Sequence, residues 1–190
     1  MPSKLDVVNA SLNELGRQAV QALDQSADSQ ILSAAVDGFM QELMTKTDWN
    51  FLIKFVKDNN PLSQSFSPDF VYSYQLPPDY ARMDRFSPQS TNFGFYYRII
   101  DGLLCTNSKP MQYYYVSNAT DYSVITPLFF QALSLYLAFR RCMVITQDQN
   151  LTRTLSGLYM DKITAAILLN DMERYVETAP FNDYDRQTYI

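Results

Sequence analysis

The sequence contains no histidine. That excludes imidazole acid–base chemistry, imidazole metal ligands and the usual nucleophile pairs. Only two cysteines are present, Cys105 and Cys142, far apart and without C-x-x-C spacing. They read as reduced, buried thiols. Glycine is scarce, five in 190 residues, and neither G-x-G-x-x-G nor G-K-[ST] occurs. A phosphate-cradling loop is thereby excluded, and no carboxylate loop of the calcium type is seen. No cofactor is expected. Cations are also in deficit: fifteen Lys and Arg against twenty Asp and Glu leave a charge of −5. Such a chain is poorly suited to gripping a duplex by its phosphates.

Long apolar runs are missing as well. The most apolar stretch, Leu128 to Thr146, is interrupted by Gln131, Ser134, Arg140 and Arg141, so no spanning helix and no membrane partner are expected. Met1-Pro2-Ser3-Lys4 leads directly into an amphipathic pattern, unlike a secretory leader. The sequons at Asn118 and Asn150 therefore read as chance matches.

What is abundant is apolar and aromatic: 47% hydrophobic residues, fourteen Tyr and twelve Phe. Ser3 with Asp6 forms a capping-box pattern, Leu5, Val8, Leu12 and Leu15 follow at helical spacing, and Gly16 closes the run. Asp28 is a candidate cap for a second helix carrying Leu32, Ala35 or Val36, Phe39 and Leu43. From Asn50 to Ser117 the pattern turns to alternation, with Asp101-Gly102 as a hairpin signal. It predicts one small antiparallel sheet of four to six short strands. Thr126-Pro127 opens a third helix, apolar nearly all round. Asp148 or Asn150 opens a fourth, with Leu151, Leu155, Leu158, Ile163, Ile167 and Leu168 as its core face. The expectation is an α+β, mainly α chain. Its four-helix body spans 1–48 and 122–176, an antiparallel β region is inserted at 49–121, and an extended tail occupies 177–190. The first and last helices are expected to pack together.

Carboxylate pairs are the one enzymatic possibility: Asp79 with Asp84, or Asp148 with Asp161 or Asp171. Twenty acidic residues produce such pairs by chance, so the chain is read as a non-enzyme, with a cell-wall hydrolase as the alternative. The surplus aromatics point instead to contact with other subunits. Phe93, Tyr96 and Tyr114, together with Arg140 and Arg141, are candidate subunit or tail-interface residues. Phe181, Tyr184, Tyr189 and Ile190 are candidate docking anchors in the tail.

Four segments, in order along nearly the whole chain, resemble the head-to-tail adaptors of short-tailed bacteriophages, the tail tubular protein A type. Leu12-Asn13-Glu14-Leu15-Gly16 is similar to that family's L-x-x-L-G. Trp49-Asn50-Phe51 is similar to its W-x-F. Tyr72 to Arg82, YSYQLPPDYAR, is similar to its Y-x-Y-x-L-P-x-D-x-x-R. Pro127 to Tyr159 is similar to its paired helices. The resemblance implies a virion protein, made in the bacterial cytoplasm and assembled as a homo-oligomeric ring, usually a dodecamer. It implies the portal protein and the tail nozzle or other neck proteins as partners. Genomic double-stranded DNA would pass through the lumen without specific binding. It also implies that the C-terminal segment engages the portal. A neck or tail completion protein of different stoichiometry is the alternative. Twelve such chains would carry about 60 negative charges, and acidic residues lining a lumen would repel phosphates.

Overall fold

The computed structural model describes residues 1–63, 67–86 and 96–175. The chain is mixed α/β, with four helices and two small antiparallel sheets, and roughly half of it is helical. It divides into two compact units, Met1–Leu43 with Tyr122–Ile190, and Met44–Asp121.

The first unit holds α1 (Lys4–Glu14), α2 (Ala27–Met44, ending at the unit boundary), α3 (Pro127–Ile145) and α4 (Gln149–Tyr175). Ser3 and Asp6 form a reciprocal capping box at the start of α1. Gly16, with φ at +67°, ends it. The Gly16 and Arg17 amides bond back to the Asn13 and Leu12 carbonyls at 3.0 and 2.8 Å. Asn9 then clasps the following loop, donating to the Val20 carbonyl and accepting from its amide. The second helix is capped by Ser26, not by Asp28: the Ser29 amide donates to Ser26 Oγ at 3.1 Å. Asp28 lies two residues later, in the first turn, and pairs with Arg17 at 3.3 Å. Both residue types cap helices, and here the serine stands one step before the first helical residue.

Thr126 accepts from the Phe129 amide, and Pro127 occupies the first turn of α3. Residues 132–138 of α3 are all buried. By length and composition α3 is also apolar enough to cross a membrane, but half of that stretch is buried inside the protein, as in a core helix. The expected pairing of first and last helices is corrected: both pack mainly on α3, with Ser11 Oγ donating to the buried Ser134 carbonyl at 2.9 Å. Asp148 caps α4, accepting from the Asn150 and Leu151 amides at 2.8 and 3.0 Å.

The expected core face of α4 is also corrected. Its buried stripe is Leu155, Tyr159, Ile163, Ala166 and Asn170, a spacing of 4, 4, 3 and 4. Leu158 and Leu168 are exposed. At about 100° per residue they fall well to one side of that stripe.

The second unit holds one turn of 3-10 helix (Asn50–Leu52) and six described strands. These are β1 (Ile53–Asp58), β2 (Tyr72–Gln75), β3 (Tyr80–Phe86), β4 (Tyr97–Ile100), β5 (Leu103–Thr106) and β6 (Met111–Ser117). They form two three-stranded sheets, β1-β6-β3 and β2-β5-β4, rather than the single sheet expected. Asp101 and Gly102 both take positive φ, 48° and 74°, and turn β4 into β5. Tyr74, Leu76, Leu104, Met111, Tyr113 and Tyr115 form one buried cluster drawn from both sheets.

Candidate interaction surfaces

The residues of the Y-x-Y-x-L-P-x-D-x-x-R segment hold this second unit together. Tyr74 is buried and donates to the Ser108 carbonyl at 3.1 Å. Leu76 belongs to the buried cluster. Asp79, in the turn between β2 and β3, collects three donors. Its Oδ2 accepts from Lys54 Nζ at 2.6 Å and Ser117 Oγ at 2.7 Å, and its Oδ1 accepts from the Tyr115 hydroxyl at 2.9 Å. Burial alone would raise its pKa, but these three bonds together with the Lys54 charge hold it well below the usual carboxylate range. Arg82 pairs with Asp48. A general acid must carry a proton near neutral pH, so Asp79 is built as an anchor and is unsuited to that role. Its proposed mate, Asp84, lies beside Arg85 at 3.6 Å. Asp148 serves as the α4 cap. Asp161 and Asp171 are exposed and stand ten residues apart on α4, about 15 Å of helix. Among the described residues no group of three or more His, Cys, Asp or Glu is placed to hold a metal.

The interface candidates fall into separate places. Arg140 and Arg141 flank an aromatic cluster in the first unit. The Phe39 ring lies edge-on to Tyr136 at 5.3 Å, and Tyr136 lies 4.7 Å from Tyr159. Both guanidinium groups sit 5.3 Å from the Phe39 ring centre. The Tyr136 hydroxyl donates to Glu42 at 2.7 Å and accepts from Arg140 at 3.2 Å. Burial first, then the Glu42 carboxylate, pushes its pKa up to about 12. This cation–aromatic cluster joins α2 to α3 and α4, a role the sequence reading of Arg140 and Arg141 missed. The available signal was Phe39 recurring on α2 beside a buried methionine stripe, but α2–α3 pairing is not local.

Tyr114 lies on the opposite face of β6 from Tyr113 and Tyr115. It is half-buried between Phe55, at 5.0 Å, and the Arg85 guanidinium, at 4.5 Å. Tyr96 is largely exposed, and Phe55 is half exposed. Phe93, Phe181, Tyr184, Tyr189 and Ile190 lie outside the described residues.

A stretch of surface that the sequence did not signal runs along the seam of α1 and α3. One cavity of about 420 Å³ is lined by Met1, Pro2, Asp6, Ile125, Pro127 and Phe130. A second, of about 140 Å³, shares Phe130 and continues past Ala10, Glu14, Leu135 and Lys162. Ser134 also lines the second cavity, and its hydroxyl donates to the Phe130 carbonyl at 2.9 Å. No protein-family model and no curated protein matches this sequence.

Proposed function

We propose that the protein is a structural adaptor of a phage virion, a ring component between portal and tail that gives passage to the DNA. In this reading the four helices are a bundle that forms the ring wall, the β region is a projection from it, and the tail docks on the portal. The observation that carries the reading is the ordered set of four motifs spread over nearly the whole chain. Charge placement supports it. Residues 44–121 hold seven cations and seven anions, so the other unit, with eight cations and thirteen anions, carries the entire −5. An acidic helical wall with a neutral β region suits a conduit whose cargo must slide and not stick. Heterologous ring contacts bury two different surfaces on each copy, and the α1–α3 seam and the open face of α4 are two such surfaces.

The test is assembly. Purified protein mixed with portal rings should give a stoichiometric collar, seen by cryo-microscopy and by mass of the complex. A portal that emerges bare at micromolar protein, or virions without this chain at the neck, would end the proposal.

A further inference from the structure

One side of α4 repeats every seven residues. Leu151, Leu158, Ala165 and Met172 stand seven apart, and Thr154, Asp161 and Leu168 interleave with them. The steps alternate between three and four, a mean of about 3.5, so the seven residues keep to one face. That face lies about 130° round the helix from the buried stripe. Leu158 is 43% exposed, Leu168 58% and Met172 60%, and Thr154, Asp161 and Ala165 are exposed as well. We propose that this face is the seam of a two-fold pair, in which α4 of one copy lies antiparallel against α4 of a second.

Three observations favour a second copy in that orientation. The first is the period. A surface that repeats at about 3.5 residues fits a partner helix along its whole length, about 32 Å from Leu151 to Met172. The helix is already held by its inner stripe, so pairing need not order it. The second is the register. With the two-fold axis level with Ile163, Leu158 meets the partner's Leu168, Thr154 meets the partner's Met172, and Asp161 meets the partner's Ala165. A parallel pair would set Asp161 against the partner's Asp161, two like charges taken out of water. The third is charge. Asp161 and Lys162 form no ion pair with any described residue, and neither do Arg153 and Asp171. In the antiparallel register the partner's Lys162 comes beside Asp161. The partner's Asp171 comes within about 3 Å of the height of Arg153, on the same flank. Symmetry makes each pairing twice. The contact is small, on the order of 1,000 Å² in all, which places it among weak, reversible interfaces. The inference does not depend on the adaptor reading. An isologous pair closes at two copies, whereas a ring needs the same face for a heterologous contact. Pairing would therefore hold free copies out of the ring until a portal opens them.

Sedimentation equilibrium of the full chain tests this. The mass should rise from one chain at about 1 μM to two at about 300 μM, and stop there. Leu168→Glu should keep the mass of one chain throughout, with an unchanged circular dichroism spectrum. A wild type that stays single at the higher concentration, growth beyond two, or undiminished pairing by Leu168→Glu overturns the proposal. Cysteine reads the orientation, since both native cysteines are buried. Under mild oxidation, chains with Leu158→Cys mixed with chains with Leu168→Cys should join at least about ten times faster than either alone, because like positions lie about 15 Å apart along the pair. Leu158→Cys chains that join one another as fast as the mixture reveal a parallel or non-specific contact, and overturn it too. Portal is absent from every assay, so failure here is distinct from failure of the adaptor reading.

Discussion

Asp79 offers the sharpest test of how the second unit is held together. Its carboxylate is four-fifths buried and takes Tyr115, Ser117 and Lys54 as donors. Tyr115 and Ser117 are themselves buried. Asp79→Ala leaves both hydroxyls without their acceptor, at about 1–3 kcal/mol each. The Lys54 contact adds little, since that side chain is half exposed. Allowing for partial relaxation, the substitution should cost the unit about 3 kcal/mol at pH 7. The single tryptophan, Trp49, is buried in this unit, so its fluorescence in a urea titration reports the loss. The pH dependence separates this account from a simple packing defect. The folded pKa of Asp79 is depressed, so its contribution is complete above the unfolded value of about 3.9. It is lost as pH falls through the folded value. Wild type and variant should therefore differ fully at pH 6, and the difference should narrow progressively as pH falls below about 4. A difference that is the same at pH 6 and pH 2.5, or one under about 0.5 kcal/mol at pH 6, refutes the anchoring role.

Other expectations are simpler. Leu133 is wholly buried and Leu168 is not. Leu133→Ala should cost about 2–5 kcal/mol of helical-unit stability by chemical denaturation, and Leu168→Ala less than about 0.5 kcal/mol. Alkaline titration followed by phenolate absorbance should leave Tyr74, Tyr115 and Tyr136 protonated at pH 11, since burial first pushes each up to about 12. All three should ionise near pH 10 in denaturant, and native stability should fall as pH rises above 10, because the raised groups favour the fold only while protonated.

Local chemistry was legible in the sequence. The Ser3–Asp6 box, the Gly16 stop, Thr126-Pro127 and the Asp101-Gly102 turn each act within four residues, and the structure contains all four. Non-local pairing was not. Strand β6 joins both β1 and β3, and no alternation pattern states which strands it chooses or that a second sheet forms. On α4, apolar residues lie on two faces, so periodicity alone could not say that Tyr159 and Ala166 go inward while Leu158 and Leu168 stay out. Tertiary packing decides that, through contact with α3. Asp79 shows the same limit in chemical form. Its neighbour in sequence terms was Asp84, a possible catalytic mate, whereas its neighbours in space are Lys54, Tyr115 and Ser117.

That contrast bears on how the motif resemblance can be used. Tyr74, Leu76, Asp79 and Arg82 are occupied with burial, a hydrogen-bonded anchor and an ion pair. A motif whose members all serve packing identifies a fold, and function has to be read from the surfaces that packing leaves over. Those surfaces are an acidic helical unit, an open apolar face on α4, an apolar seam between α1 and α3, and rings at Phe55 and Tyr96 on the β unit. Each apolar area among them is the kind that a neighbouring chain covers. Under the proposed adaptor reading, neighbouring copies and the portal would cover these areas. Charge reversal on the acidic helical unit provides a way to separate passage from assembly. Replacing exposed Asp24 and Asp161 by Lys should leave the collar on the portal intact, since neither side chain packs in the core. If acidity keeps the genome off the wall, the same change should slow DNA release. Release at the wild-type rate from fully assembled particles would show that these carboxylates do not face the cargo.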